Sequence, residues 1–282
     1  MIDAEGIIYA GQLNKYNEEG PKPTALGTRM RVSDAGTCER QRWYKAMGFD
    51  ESETPDMQTL LAFHVGNSIH DFVQEAFERQ AVMGGVSVDV EVPVDCRPLG
   101  ADLSGSADLV VTYSDGHKVV VEFKSASAYG SKLASQQPKR EHVAQAGLYA
   151  RGLGANAIMI CYVAKETSFR DKVRAGDVYS HYFEMNDPVF SGYMETVFDI
   201  TEFELVRYKR VEKYLDAGML PHPIVYDEVD GKRELSALRV VESPGPYGKA
   251  NKNSHWECRY CLFNSLCYGV GPDEVNVIGE KV

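Results

Sequence analysis

The sequence predicts a mixed α/β fold, a β-meander followed by a strand–helix–strand unit. Residues 86–92 alternate apolar and polar side chains, as a half-exposed strand does. Residues 103–124 hold two apolar runs around Asp115-Gly116, which is a hairpin signal. Residues 138–164 combine a helical stretch with a further apolar strand. A strand, a helix and a strand within one sheet form a right-handed crossover, so the last two strands are predicted to be parallel.

Two helices are predicted before the meander. A short helix covers Glu39 to Met47 and is closed by Gly48. Thr54-Pro55-Asp56 is a good helix start, and the pattern after it stays helical to about Met83. The apolar face of this long helix follows the spacing i, i+3, i+4, i+7, i+8 at Ile69, Phe72, Val73, Ala76 and Phe77.

After the crossover the sequence predicts one more strand and one more helix. Residues 177–184 form the strand, and Asn186-Asp187-Pro188 starts a helix that reaches about Ala217. Residues 1–30 and 218–257 lack a clear period and are expected to be mostly irregular, the first of them a lead-in arm.

Composition excludes several classes of protein. The chain has 282 residues and 44% hydrophobic residues, enough for one elaborated domain or two small ones. No apolar run approaches a membrane span and the N-terminus has no signal-peptide layout, so a cytoplasmic protein without a membrane partner is expected. A net charge of −11 argues against nonspecific coating of nucleic acid, but it allows a local basic groove beside an acidic metal site.

The apolar run Val119 to Val121 ends in Glu122-Phe123-Lys124. Residues i and i+2 of a strand project from the same face, so Glu122 and Lys124 point the same way. A carboxylate and an ammonium at the end of a core strand are costly unless they are paired or bind something. For an isolated pair, a strand end emerging into solvent is the better explanation.

Other residues supply partners for this pair. Asp108 lies at a similar distance from the hairpin turn as Glu122, so the two carboxylates can share a cation. His70 alone would be an ordinary histidine of a surface or core edge, but one imidazole and two carboxylates together suit Mn²⁺ or Mg²⁺. Gln145 and Tyr149 are one turn apart on the crossover helix, where they can contact Lys124 or a phosphate.

The six cysteines divide into two groups. Cys96 and Cys161 stand alone in apolar surroundings and are expected to be inert. The C-x₂-C-x₅-C pattern near the C-terminus and one upstream cysteine make a set of four: Cys38, Cys258, Cys261 and Cys267. Four thiolates bind either zinc or an iron–sulfur cluster. Cys38 precedes a predicted helix, whose dipole would favour its thiolate.

These motifs resemble those of the PD-(D/E)XK nuclease superfamily, and within it the RecB-like branch that carries an iron–sulfur staple. That branch includes the CRISPR-associated RecB-like exonucleases, the fourth Cas protein family, and the AddB-type nuclease subunits. The matching motifs are GxxxH at Gly66–His70, GxxD at Gly105–Asp108, ExK at Glu122–Lys124 and QxxxY at Gln145–Tyr149, with the four cysteines in the same order. Ala107 stands where the superfamily name has a proline, a common variation in this branch.

The resemblance implies a restriction-endonuclease-like central sheet flanked by helices, with the chain ends joined by a cysteine-ligated 4Fe–4S cluster, zinc being the less favoured alternative. It also implies cleavage of DNA with Mn²⁺ or Mg²⁺, often as an exonuclease on single-stranded ends. The cation would be held by His70, Asp108, Glu122 and the backbone carbonyl of Phe123. The six catalytic residues would be Glu122, Lys124, Asp108, His70, Gln145 and Tyr149.

One domain with five segments is expected on this basis. The segments are the arm 1–30, a helical part 31–83, the catalytic core 84–185, a helix and irregular insertion 186–257, and the cluster-binding tail 258–282. Helicase motifs are absent, which favours a free-standing enzyme from a virus or mobile element, with recombination or CRISPR-adaptation partners. Two alternatives stay open: a DNA-end-binding or adaptation-complex subunit without catalysis, and a structure-specific endonuclease. The oligomeric state stays open as well.

Overall fold

The computed structural model of the chain describes residues 4–20, 24, 26–190, 193–221, 224–229, 232–237 and 261–268. Within these ranges the helices are α1 (Ala4–Glu19), α2 (Glu39–Ala46), α3 (Met57–Gly84), α4 (Ala128–Ala134), α5 (Arg140–Leu153), α6 (Val197–Ala217) and α7 (Asn264–Tyr268). The strands are β1 (Met30–Arg31), β2 (Ser87–Asp95), β3 (Leu103–Thr112), β4 (Lys118–Ala126), β5 (Ala157–Ala164), β6 (Val178–Glu184), β7 (Pro188–Phe190), β8 (Tyr193–Thr196), β9 (Ile224–Val229) and β10 (Lys232–Ala237).

The chain forms two compact units. The first comprises Met1–Ala35 and Pro55–Phe203, and the second comprises Gly36–Thr54 and Glu204–Val282. The single domain with five segments that the sequence suggests stays a prediction. None of the helices in the described part of the chain combines the length and the apolar character that crossing a bilayer requires.

A mixed sheet is the centre of the first unit. Its strand order is β1-β3-β4-β5-β6, and β2 pairs with β3 beside this path. The β3–β4 pair is antiparallel, and the β4–β5 pair, which α5 connects, is parallel. The predicted meander and strand–helix–strand unit are therefore confirmed, as is the mixed α/β class.

The two faces of β4 have different environments, as the alternation of its residues requires. Val121 and Phe123 belong to a buried apolar cluster, against which Val73 and Phe77 of α3 pack. Glu122 lies on the opposite face, where Gln145 of α5 donates a hydrogen bond to it. The apolar face predicted for α3 is partly wrong, because Phe72 is 73% exposed.

Two regions expected to be irregular contain regular elements. The arm prediction for residues 1–30 is wrong over α1, because Ala4–Glu19 contains no proline and is mostly made of residues that tolerate a helix. The hydroxyl of Tyr9 donates to the carbonyl of Pro55 at 3.3 Å. Within residues 218–257, β9 and β10 form an antiparallel pair. The sequence between them holds an Asp-Gly dipeptide, the same hairpin signal that predicts the β3–β4 turn.

One additional helix and one helix boundary also differ from expectation. The linker after β4 contains the short helix α4, whose first turn is capped by the Ser127 hydroxyl accepting from the Gly130 N–H. The last long helix begins at Val197 rather than at Asn186, because residues 188–190 and 193–196 form β7 and β8 instead. Thr196 and Asp199 exchange backbone-to-side-chain hydrogen bonds at 2.9 and 3.1 Å, a capping pair that marks the true start of α6.

Candidate active site

Glu122, Lys124 and Gln145 form a closed triangle of hydrogen bonds in the first unit. Oε1 of Glu122 accepts from Lys124 Nζ at 2.7 Å and from Gln145 Nε2 at 2.7 Å. Lys124 Nζ also donates to Gln145 Oε1 at 3.0 Å. Glu122 is only 1% exposed, whereas the Lys124 side chain keeps 22% of its surface open. The predicted contact between the crossover helix and Lys124 is therefore present, and Gln145 makes it.

Asp108 is placed beside this triangle by a break in the sheet. The β3–β4 ladder begins at Leu109–Val121 and runs toward the turn, so it does not include the preceding pair. There the Phe123 N–H donates to Asp108 Oδ2 at 2.7 Å. A side-chain carboxylate thus replaces a ladder acceptor, which holds Asp108 on the strand next to Glu122.

Helix α3 contacts Asp108 twice, through residues one turn apart. Nδ1 of His70 lies 3.6 Å from Asp108 Oδ2, and the His70 ring meets the Phe123 ring edge-on with centroids 6.2 Å apart. Gln74 Nε2 donates to the backbone carbonyl of Asp108 at 2.9 Å. Because positions i and i+4 share a helix face, one helix positions both the carboxylate and the carbonyl of Asp108.

Glu91 and Gln74 are residues of the site that sequence reasoning missed. Glu91 stands opposite Asp108 in the β2–β3 register, but the two residues are not paired in the ladder, which continues on either side of them. Its φ of 47° is left-handed, which is uncommon for a residue other than glycine. Its two carboxylate oxygens accept from Gln74 Nε2 at 3.1 Å and from the Ser106 hydroxyl at 2.9 Å. Gln74 therefore joins Glu91 to Asp108. The unbroken alternation of β2 contains no signal of this irregularity.

Tyr149 explains why residue 105 is a glycine. A Cβ added to Gly105 would lie 2.7 Å from Cε1 and 2.9 Å from the hydroxyl of Tyr149. The tyrosine is 2% exposed, so its ring cannot easily move away. Two predicted motifs thus depend on each other through packing. Gly66 differs, because a Cβ there would meet only Ser125 Oγ at 3.5 Å, an ordinary contact.

The positive charge near the buried carboxylates of the site does not compensate for the cost of burying them. Burial raises the pKa of Glu122 to about 7, against the opposing effect of Lys124. Burial also raises the pKa of Asp108 to about 6, although the Phe123 N–H favours its carboxylate. Burial and then the charge of Lys124 lower the pKa of His70. Negative charge is therefore costly here, and neutral imidazole is favoured, which is the form that binds metal.

The donor set fits a divalent cation. Oε2 of Glu122 is fully buried and has no hydrogen-bond partner among the described residues. A buried acceptor of this kind is suited to bind a cation. In the described ranges, however, no three His, Cys, Asp or Glu side chains are already gathered at metal-binding distances. The cation site predicted at His70, Asp108 and Glu122 therefore stays a prediction. The role predicted for the Phe123 carbonyl stays a prediction.

Comparison with known protein families agrees with this geometry. The family model of the PD-(D/E)XK nuclease superfamily matches residues 37–268, more than four-fifths of the chain. The chain belongs to the PD-(D/E)XK nuclease superfamily. No curated protein matches it.

Solved structures resemble this nuclease only distantly. The structure of SSO0001 has a TM-score of 0.45 and 13% identity, and the alignment covers 93% of this chain and 95% of that one. LHK-Exo in complex with dAMP has a TM-score of 0.45 and 15% identity, with 68% and 91% covered. LHK-Exo from Laribacter hongkongensis, an alkaline exonuclease, has a TM-score of 0.43 and 13% identity, with 66% and 89% covered. Likenesses this distant carry no argument about function.

Three of the four predicted cluster ligands are among the described residues, and all three belong to the second unit. Cys38 is the N-cap residue of α2, Cys267 lies in α7, and Cys261 precedes α7. Cys258 lies outside the described residues. Burial is the main cause that raises the pKa of Cys38 and of Tyr44, and nearby thiols add to it: Cys267 for Cys38, and both Cys267 and Cys261 for Tyr44. The Tyr44 and Phe263 rings stack with their centroids 5.5 Å apart, so α2 lies close to the segment before α7. In the described part of the chain, however, Cys38, Cys261 and Cys267 are not gathered into a group that could hold a metal.

The helix dipole does not make Cys38 a thiolate here, contrary to expectation. Burial raises the pKa of Cys38 to about 11 and outweighs the backbone N–H groups of Gln41 and Arg40. Cys96 and Cys161 are buried, as expected, and burial raises their pKa to about 12 and about 11. A low-pKa thiol at Cys38 would thus require an added positive charge such as a metal.

Proposed function

We propose that this nuclease is a metal-dependent DNA exonuclease that hydrolyses phosphodiester bonds at single-stranded ends, and that it belongs to the RecB-like branch with an iron–sulfur staple. The observation that carries the proposal is the environment of Glu122. One of its oxygens accepts from Lys124 and Gln145, while the other is buried without a partner among the described residues. A carboxylate arranged in this way is suited to a cation on one side and a catalytic ammonium on the other.

His70, Asp108, Glu122 and the backbone carbonyl of Phe123 would hold Mn²⁺ or Mg²⁺. When bound, such a cation polarises the phosphodiester and lowers the pKa of a coordinated water. The oxygen-rich donor set with one imidazole supports a hard cation over a soft one. The raised pKa values of Asp108 and Glu122 support it too, because a cation would relieve the cost of their buried charge.

Lys124 has a donor left for the reaction. An ammonium has three N–H groups, and two of them are directed at Glu122 and Gln145. The third can donate to a phosphate oxygen or to the attacking water. Because Glu122 and Gln145 fix the Nζ atom, Lys124 would stabilise the developing negative charge without reorganising during the reaction. Gln145 acts as a positioning residue, and Tyr149 packs on Gly105 behind it.

Cys38, Cys258, Cys261 and Cys267 would hold a 4Fe–4S cluster in the second unit. The order of the cysteines in the sequence supports this assignment, and so does the stacking of Tyr44 on Phe263, which brings α2 close to the segment before α7. When bound, a cluster contributes binding energy to folding, which here would join the N-terminal part of the unit to its C-terminal part.

The cluster assignment is tested by purification without air. We expect a brown protein with about four irons per chain, and colourless, less stable protein for Cys267→Ala. Cys161→Ala is the matched control, because Cys161 is also buried but lies in β5 of the other unit. A colourless wild type that contains one zinc would contradict the cluster and leave the nuclease assignment intact.

The exonuclease assignment is tested with DNA labelled at the 5′ or the 3′ end and with circular single strands, each with Mg²⁺, Mn²⁺ or no cation. We expect linear single strands to be shortened progressively from an end and circles to resist. Cleaved circles would favour the structure-specific endonuclease. Binding without cleavage under every cation would favour the non-catalytic DNA-end-binding subunit. These assays use the chain alone, without any partner. The recombination or CRISPR-adaptation partners and the cytoplasmic location stay predictions.

A further inference from the structure

The loop between β5 and β6, residues 165–177, presents an aromatic side chain to solvent. Phe169 is 95% exposed, the highest value of any large hydrophobic residue in the described part of the chain. Neighbouring helix α4 exposes Tyr129 at 63% and Leu133 at 45%. A single exposed apolar side chain needs no explanation, but several on adjacent elements indicate a binding surface.

The loop is held in a defined conformation. Ser168 and Val173 exchange backbone hydrogen bonds at 2.9 and 3.1 Å, so the tip between them is a closed turn. The Ser168 hydroxyl donates to Asp171 at 2.9 Å, and Ala175 N–H donates to the Thr167 hydroxyl at 3.0 Å. Phe169 is therefore displayed on a rigid tip, which lowers the entropy cost of binding through it.

The loop is fixed to α4 and to the end of β4. Val173 packs in a small buried cluster with Ala128 of α4 and Ala164 of β5. Glu166 accepts from the Ala128 N–H at 2.8 Å, and Lys165 N–H donates to the carbonyl of Ala126 at 2.9 Å. These contacts place the base of the loop at the carboxyl ends of the parallel strands β4 and β5.

This location is close to the candidate active site. Ala126, to which the loop is bonded, follows Lys124 by two residues on the same strand. At 3.3 Å per residue the two positions are about 7 Å apart along β4. A DNA strand with one phosphate at Lys124 would therefore have neighbouring nucleotides within reach of the loop.

The tip of the loop, residues 169–174, is also locally basic in an acidic protein: it holds three basic residues and one acidic one, whereas Glu166 and Asp177 lie at the base of the loop. The chain has a net charge of −11. Arg170, Lys172 and Arg174 are exposed, and within the described residues none of them has an ion-pair partner. Asp171, the acidic residue among them, is engaged by Ser168 and by Lys132 at 3.4 Å. Positive charge beside an exposed ring is the combination that binds single-stranded nucleic acid, through phosphate contacts and base stacking.

We propose that the β5–β6 loop, with Tyr129 of α4, is a stacking platform for single-stranded DNA next to the active site, and that Phe169 stacks on a base. The inference rests on the proposed nuclease function and adds a substrate contact to it. A single strand is the favoured partner because its base faces are open, whereas those of a duplex are covered by neighbouring bases.

The test measures binding of the full chain in EDTA to fluorescein-labelled oligothymidylate, to the same strand with abasic sites, and to a duplex. Phe169→Ala should weaken oligothymidylate binding roughly 5- to 100-fold and leave abasic binding nearly unchanged. Phe169→Trp should bind as well as wild type, because it can still stack. Arg170→Ala and Lys172→Ala should each reduce the slope of log affinity against log salt by about 0.7.

Tyr113→Ala is the matched control. Tyr113 is 46% exposed and lies beside the β3–β4 turn, at the opposite end of β4 from the loop. We expect it to bind all three DNAs as wild type does. If wild type cleaves and binds DNA while Phe169→Ala binds oligothymidylate equally well, the platform is refuted and the nuclease function stands. An equal loss on the abasic strand also refutes stacking, and a wild type that neither binds nor cleaves DNA refutes both proposals.

Discussion

The backbone N–H of Phe123 donates a 2.7 Å hydrogen bond to the carboxylate of Asp108. This bond begins where the β3–β4 ladder stops, so it both closes the sheet and fixes an acidic side chain beside Glu122. The same carboxylate is therefore structural in the protein without metal and a ligand in the proposed enzyme. Variants that separate its charge from its hydrogen bond can tell the two roles apart.

Asp108→Asn keeps an acceptor for the Phe123 N–H and removes the negative charge. Because burial raises the pKa of Asp108 to about 6, its charge costs stability at neutral pH. We expect metal-free Asp108→Asn to unfold at the wild-type denaturant concentration or above it, while cleavage falls at least about 100-fold. Asp108→Ala should lose a further ~1–3 kcal/mol of unfolding free energy, since the Phe123 N–H stays buried without a partner. Equal unfolding midpoints for the two variants would contradict the structural role of the bond.

Gly105→Ala should destabilise the first unit. The new Cβ would lie 2.7 Å from the Tyr149 ring, and relieving such an overlap in a packed core costs about 1–3 kcal/mol. In a protein that already carries Tyr149→Ala, adding Gly105→Ala should cost little stability. A double-mutant cycle of denaturant unfolding measures this difference. Gly66→Ala is the control and should be neutral or stabilising, because its Cβ meets only Ser125 Oγ at 3.5 Å. Additive effects of the two substitutions on unfolding free energy would show that the Tyr149 ring is not the reason position 105 requires glycine.

Gln74→Ala should raise the cation concentration needed for half-maximal cleavage. Gln74 joins Glu91 to the carbonyl of Asp108, and loss of such a supporting contact weakens metal binding by roughly 10- to 100-fold. A titration of activity with Mn²⁺ measures the shift. Gln80→Ala, at an exposed position of the same helix, should behave as wild type. If Gln74→Ala lowers stability but leaves the cation requirement unchanged, Gln74 has a structural role alone.

Glu204 gives the second unit a stability that depends on pH. Burial alone would raise its pKa, but the charges of Arg42 and Arg207 outweigh burial and lower it from 4.5 to about 2. A lowered pKa means that the contribution is present above pH 4.5 and is lost as pH falls toward 2, with a size of about 3 kcal/mol. The difference in unfolding free energy between wild type and Glu204→Gln should therefore shrink over this interval. A difference that stays constant from pH 6 to pH 3 would contradict the ion pairing.

Several features of the fold and site follow directly from sequence patterns. Alternation and the Asp115-Gly116 turn predict the meander, and residue spacing on β4 places Glu122 and Lys124 on one face, where the structure joins them to Gln145. These predictions succeed because they depend on local periodicity, which backbone geometry imposes. Asp108 is also placed correctly beside Glu122, since an antiparallel hairpin determines which residues stand opposite each other.

Other features depend on contacts that no local pattern encodes. Glu91 lies in a perfect alternation, yet its left-handed backbone appears only when β2 meets β3 and Gln74. Asn186-Asp187-Pro188 is a turn signal as well as a helix start, and only the capping pair Thr196–Asp199 distinguishes the two. Arg40 and Arg42 are charged residues of a short helix, yet both are buried, because Glu204 pairs with Arg42 and the carbonyl of Pro221 accepts from Arg40.

The most direct test of the nuclease assignment is cleavage of end-labelled single-stranded DNA by Lys124→Ala and Glu122→Ala. Lys118→Ala, at the exposed start of the same strand, is the control for changing a lysine of β4. With Mn²⁺ we expect wild type and Lys118→Ala to degrade the strand at similar rates, and the two site variants to be slower by roughly 100-fold or more. Degradation by Lys124→Ala or Glu122→Ala at the wild-type rate would contradict the account.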